Sequence, residues 1–174
     1  MERFNKIFEY LLQVEGGYSN DRYDSGGQTT FGIIEIEARQ YGYKGRMRNM
    51  PLEIARNIYN KKYYHGNRLD EIKDDRIALS ICDWIVNSGN WGAKKAQQAL
   101  NELAGTNLVI DGKIGSKTLF ALNNVNSERF LEIYHELQRK FYRSIVANRP
   151  TQKVFLRGWL NRVDRKEKFL KENF

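Results

Sequence analysis

The chain has 174 residues, with 29 Lys and Arg against 21 Asp and Glu, a net charge of +8, and 41% hydrophobic and 13% aromatic residues. That is enough apolar material for one domain with a real core, and the aromatic content with only two prolines excludes a disordered chain. No apolar run reaches the roughly 18–20 residues of a membrane-spanning helix, and a lone cysteine, Cys82, excludes an internal disulfide and a cysteine-built zinc site. With only His65 and His135 as histidines, neither a metal nor an organic cofactor is expected. The positive excess points to a polyanionic partner (nucleic acid, an acidic membrane or an anionic cell wall) or serves solubility alone.

The first fifteen residues interleave charge with apolar side chains and lack the apolar stretch of a signal peptide. Phe4, Ile7, Phe8, Leu11 and Leu12 have the spacing of an amphipathic helix, and Gly16-Gly17 ends it. Residues 18–32 are rich in Gly, Asn, Asp, Ser and Thr and predict an ordered loop with at most a short β excursion. Ile33 to Tyr41 predicts a helix stopped by Gly42, and Pro51 is placed as the first helical residue of 51–63. Residues 75–88 are apolar on almost every face, which predicts a central, buried helix ended by Gly89. Ala93 to Leu103 predicts another helix. Asp111-Gly112 predicts a turn, and Ser116 a cap for a short helix over 117–123. Helices over 127–147 and 152–172 flank Pro150. The fold class is mainly α.

The chemistry concentrates early in the chain. Eleven residues at about 100° each bring Glu15 back to nearly the azimuth of Phe4. Glu15 therefore faces the core side in the last helical turn, surroundings that suit a general acid, although a helix-end glutamate can also bend away to water. Asp24 follows nine residues later in a Gly-rich turn with Asn20 and Asp21, and Thr29 and Thr30 follow it. An acid on a helix end with a carboxylate on a polar loop is the pairing glycoside hydrolysis uses, and a threonine hydroxyl can orient the water. The competing reading is a turn in which Asp21 and Asp24 bind local amides. A calcium loop is disfavoured, because the ligand spacing and closing glutamate are absent.

The stretch Glu15-Gly-Gly-Tyr-Ser-Asn-Asp-Arg-Tyr-Asp-Ser-Gly-Gly-Gln-Thr-Thr-Phe-Gly32 resembles the signature of glycoside hydrolase family 108, the bacterial and phage N-acetylmuramidases that include secretion activator proteins. Ser25 stands where that family usually has proline. Asp83-Trp-Ile-Val-Asn-Ser-Gly89 resembles the family's central helix. Asp111-Gly-Lys-Ile-Gly-Ser-Lys-Thr-Leu119 and Phe155-Leu-Arg-Gly-Trp-Leu-Asn-Arg-Val163 resemble segments of its peptidoglycan-binding second half. The resemblance implies a lysozyme-like helical fold with an active-site cleft. Residues 1–89 would form the catalytic part and 90–174 a helical part packed with it as one compact unit. It also implies cleavage of the β-1,4 bond after N-acetylmuramic acid, with Glu15 as the acid and Asp24 as base or electrostatic partner. The family's own threonine falls at Thr29, whereas the similar phage lysozymes of family 24 place theirs at Thr30; this chain has both. Carboxyls about 6.5–9.5 Å apart would mean inversion and about 5–5.5 Å retention.

Tyr18, Asn20, Asn87 and Trp91 are the candidate sugar contacts. Asn87 lies one turn past Asp83 on the apolar helix, where a buried amide needs a partner. Trp84, Tyr63 and Tyr64 can stack on sugars or pack in the core. Trp159 and Arg162 read as structural. The expected partner is peptidoglycan, with no membrane insertion, and the expected state is a monomer. The expected location is the periplasm or cell wall, reached by release or export after synthesis in the cytoplasm. The alternative is a non-catalytic peptidoglycan-binding module. A nucleic-acid binder lacks any matching motif.

Overall fold

The computed structural model describes residues 2–15 and 29–174. The chain forms two compact units, Met1–Asn67 and Arg68–Phe174. The described residues hold eight α-helices and one two-stranded hairpin, the mainly α architecture expected. No described helix is long and apolar enough to cross a membrane.

In the first unit, α1 (Glu2–Glu15) buries Phe4, Ile7, Phe8, Tyr10 and Leu11, the face its spacing predicts. Phe4 and Phe8 lie with ring centroids 5.9 Å apart, and they meet Tyr64 at 5.3 Å and Tyr59 at 5.6 Å respectively. The strands β1 (Thr29–Thr30) and β2 (Ile33–Ile34) pair antiparallel, with Thr30 opposite Ile33. Only Phe31 and Gly32 connect them. Both have positive φ, 53° and 75°, as the tightest hairpin turns require. This pairing takes Ile33 and Ile34 out of the helix predicted over 33–41, which shortens to α2 (Glu35–Gln40). Pro51 is the N-cap of α3 (Leu52–Ile58) rather than its first residue. The helix then widens into a π-helical stretch, Tyr59–Tyr64. Within it the Tyr59 and Tyr63 rings lie with centroids 5.4 Å apart.

In the second unit, α4 (Asp75–Ser88) is the predicted central helix. Every residue from Ile77 to Ile85 is buried. The Asp74 side chain caps it, accepting from the amides of Arg76 at 2.8 Å and Ile77 at 3.3 Å. Packed on it are α5 (Trp91–Ala104) and α7 (Ser127–Asn148), while α6 (Ser116–Leu122) packs on α5 and α8 (Lys153–Asn173) on α7. Ser116 lies inside α6 and Gly115 is its N-cap, so the predicted Ser116 cap is not formed. At Gly92 a Cβ would sit 2.7 Å from the amide nitrogen of Ile85, so glycine sets the close approach of α5 to α4.

Two polar chains run through this core. Arg162 donates to Asp83 Oδ1 through Nε at 2.9 Å, and Lys166 Nζ lies 3.0 Å from Asp83 Oδ2. Burial alone would push the Asp83 carboxyl up; Lys166 and Arg162 outweigh it and hold the group below the usual carboxylate range. Elsewhere Ser80 Oγ lies 3.1 Å from His135 Nε2, and His135 Nδ1 lies 3.2 Å from Glu167. Ser, His and carboxylate in that order are an acyl-transfer arrangement, but Ser80 is wholly buried in mid-helix and cannot meet a substrate. The set ties α4, α7 and α8 together.

Burial lowers the His135 pKa to about 4 against the partial opposition of Glu167, while Lys166 and Arg139 add to the lowering. The hydrogen bond from His135, with that from Arg139, brings the Glu167 carboxyl down to about 2. Between pH 6.5 and 4 the unfolded chain therefore binds a proton at His135 that the folded chain refuses, so stability falls as pH falls. Unfolding free energy should drop by on the order of 3 kcal/mol between pH 7 and 4. In urea titrations across that range His135→Gln should flatten the dependence; an unchanged slope would contradict this account.

Candidate active site

Glu15 is the last residue of α1 and is half-buried, at the end of the apolar face as its azimuth predicts. What fixes its surroundings is the hairpin turn. A Cβ on Gly32 would lie 2.8 Å from Glu15 Oε2, 2.9 Å from Glu15 Cβ and 2.9 Å from the Tyr59 hydroxyl. The turn backbone thus lies directly against the carboxyl, with the tyrosine hydroxyl on the same side. That hydroxyl donates to the Phe31 carbonyl at 2.9 Å. Phe31 is a bulky residue at positive φ, a strained conformation that this bond helps to hold. Tyr59 has less than 2% of its surface exposed, so its position is set by the core beneath α1. The sequence reading missed Tyr59 and Gly32. The π-helical turn that aims Tyr59 leaves no clear trace in the sequence, whereas Phe-Gly after two threonines is a readable turn signal.

The two threonines part company on the pleat, where successive side chains point to opposite faces. Thr30 is buried and its hydroxyl donates to the Met47 carbonyl at 2.7 Å. Thr29, opposite Ile34, is half-buried on the other face. Tyr18, Asn20 and Asp24 lie outside the described residues. A second carboxylate in this unit, Glu37, is buried beside Lys62 at 3.0 Å and accepts from the Tyr63 hydroxyl at 3.2 Å. Paired with a cation, it braces α2 against the π-helical stretch.

In the second unit, Asn87 is exposed rather than buried, because α4 reaches its open end there. Its Oδ1 accepts from the Tyr142 hydroxyl at 2.6 Å and from Ser88 at 2.9 Å. Trp91 opens α5 with 43% of its surface exposed and its ring centroid 5.2 Å from that of Phe141. Trp84 and Tyr64 are core residues. The Asp111-Gly112 turn is held from beneath: buried Gln97 donates to Asp111 Oδ1 at 2.8 Å and accepts from the Gly112 amide at 2.9 Å. Among the described residues no cluster of three His, Cys, Asp or Glu side chains is placed to hold a metal ion.

Comparison with known proteins matches the chain in two consecutive stretches. Residues 8–89 match the family model of glycosyl hydrolase 108, and residues 92–164 match that of a predicted peptidoglycan domain. The structure of Brucella abortus SagA superimposes with a TM-score of 0.79, covering 97% of this chain and 94% of that one at 24% identity. No curated protein matches the chain. The two matches divide the sequence beyond α4, whereas α4 packs within the unit that starts at Arg68.

Gly32 is constrained twice, by its φ and by the carboxyl against it. Gly32→Ala should therefore destabilise the protein by about 1–3 kcal/mol. Chemical denaturation would measure it; a loss below about 0.5 kcal/mol would show that the turn can move off Glu15.

Proposed function

We propose that this chain, which belongs to glycosyl hydrolase family 108 through its residues 8–89, is an N-acetylmuramidase. It hydrolyses the β-1,4 bond between N-acetylmuramic acid and N-acetylglucosamine with Glu15 as general acid. The observation that carries this reading is the seating of Glu15: a half-buried carboxyl at a helix end, backed by the Gly32 turn and flanked by the Tyr59 hydroxyl. A general acid works only if its proton is held on one line toward the leaving oxygen. The close turn backbone restricts the carboxyl's rotation and shields one side from water. Glu15 protonates the glycosidic oxygen as the bond breaks. Asp24 stabilises the positive charge developing at the sugar or activates water, and water attacks the anomeric carbon.

Thr29 is the threonine we assign to the water. Thr30 already spends its hydroxyl hydrogen on Met47, in the core. Thr29 faces the other way and keeps its hydroxyl outside that bond. The site of action is the cell wall, which the match of residues 92–164 to a peptidoglycan domain supports. The net charge of +8 favours association with an anionic polymer and accelerates encounter. The same match also fits a wall-binding module without catalysis, and the Glu15 experiment separates the two.

Glu15→Gln keeps shape and hydrogen-bonding atoms but removes the transferable proton. Clearing of purified peptidoglycan should fall by at least about 100-fold with the fold unchanged. New reducing ends released by the parental chain should be muramic acid by mass spectrometry. Equal clearing by both proteins would remove Glu15 from the mechanism, and binding without new reducing ends would favour the non-catalytic module.

The threonines give a second test. Thr29→Val should lower kcat while leaving the melting temperature close to that of the parent. Thr30→Val strands the buried Met47 carbonyl and should cost about 1–3 kcal/mol of stability, with kcat per folded molecule retained. The opposite pattern would exchange the two roles.

A further inference from the structure

Five aromatic rings of the second unit touch in an unbroken row. Trp91 lies 5.2 Å from Phe141, Phe141 lies 5.9 Å from Tyr142, Tyr142 stacks on Trp159 at 5.4 Å, and Trp159 stacks on Phe155 at 5.9 Å. The row crosses from the start of α5 over α7 to the start of α8. Tyr142 is buried and anchors it, while Phe141 and Trp159 are half-buried. The ends are open: Trp91 is 43% and Phe155 53% exposed, and Val154 beside it is 77% exposed. Single exposed apolar residues need no explanation, but two exposed rings joined through half-buried ones and anchored on a buried tyrosine form a rigid apolar patch of the kind that meets a partner.

We propose that this row is a glycan-binding surface, carried wholly by the second unit, which takes the β-1,4-linked amino-sugar strand of peptidoglycan. The proposal rests on the peptidoglycan reading for its ligand class. Three features favour a glycan over an apolar protein face. A β-linked pyranose presents a flat face of C–H groups, and the electron-rich face of an aromatic ring attracts their positive edge. The rim supplies donors: Tyr142 and Ser88 occupy Asn87 Oδ1, which turns its amide N–H groups to the other side, where an N-acetyl carbonyl can accept. Lys94 stands 5.0 Å from the Trp91 ring centroid, Lys95 stands 5.9 Å from it, and no described carboxylate pairs with Lys94. The Lys94 ammonium there suits the carboxylates that hang from such a strand, those of the stem peptide or, where the peptide is removed, of the lactyl group. Four of the five rings also fall within residues 92–164, the span matching a peptidoglycan domain.

The rings give the strand a rigid platform, because each is held by its neighbour and little rotamer entropy is lost on binding. Such a surface raises the residence of the enzyme on an insoluble substrate. Its loss should therefore appear in KM on intact wall and leave kcat in place.

The test uses the full chain carrying Glu15→Gln, so that the wall is not consumed. Co-sedimentation with purified sacculi, and fluorescence titration with glycan strands freed of their peptides, measure binding. Trp91→Ala with Phe155→Ala should weaken both by at least about tenfold, in line with the loss of two aromatic stacking contacts, while the far-UV circular dichroism stays unchanged. Trp91→Phe should retain most of the affinity, and Lys94→Gln should weaken binding to both materials, since stem-peptide carboxylates in sacculi and freed lactyl carboxylates on stripped strands both offer it a partner. In the chain with Glu15 intact, the aromatic pair should raise KM on sacculi at constant kcat. Binding of stripped strands by the double alanine variant at parental strength would overturn the proposal, as would failure of the parental chain to bind either material. If Glu15→Gln clears wall normally while binding still depends on Trp91, the catalytic reading fails and this one stands.

Discussion

The second unit is organised by one buried carboxylate. Asp83 sits at the centre of α4 with no exposed surface, and two cations from α8 converge on it. An isolated charge in that position would be prohibitive, and each partner is tolerable only because of the others. The consequence is geometric. Arg162 and Lys166 are one turn apart on α8, so both can reach Asp83 only in a single register of that helix. Lys166 also donates to Gln138 at 2.6 Å, and Gln138 to Tyr142 at 3.0 Å, which extends the same register to α7. From Tyr142 the chain passes to Asn87 and leaves the core. The aromatic row follows from this, because Trp159 can stack on Tyr142 only where the register of α8 places it.

The first unit solves a related problem with different means. Glu15 is held by shape, with a glycine turn against it and the Tyr59 hydroxyl beside that turn. Strain is stored close by, in the positive φ of Phe31 and in the π-helical turn that carries Tyr59. Glu37, elsewhere in the unit, is held by its pairing with Lys62.

The helices were readable because their causes are local. The all-apolar run of α4, the spacing along α1 and the glycines after α4 and α5 each dictate their element from within a few residues. The azimuth of Glu15 was readable for the same reason. What escaped was set by partners distant in sequence. Ile33 and Ile34 look helical until Thr29 and Thr30 pair with them. Asn87 looked buried because the helix before it is, yet it lies at the exposed end of that helix. Thr29 and Thr30 are indistinguishable as letters and separate only when Met47 comes within reach of one of them. Tyr59 becomes a neighbour of the turn against Glu15 only through an irregular helical stretch that no periodicity announces.

The position of α4 bears on how the two family matches relate to folding. The hydrolase match ends at residue 89 and the peptidoglycan match starts at 92, so by sequence α4 closes the first region. By packing it is the core of the second unit. Cutting the chain at that boundary would expose a helix that is buried over most of its length. It would also leave Asp83 without Arg162 and Lys166, and those cations without their carboxylate. The desolvation already spent on all three charges would then have no return, and the remaining helices would lose the residue that sets their register. The chain is therefore divided for recognition at one place and for folding at another. The short span from Arg68 to Gly89 belongs to both descriptions, and through it the hydrolase region is covalently part of the unit that carries the aromatic row.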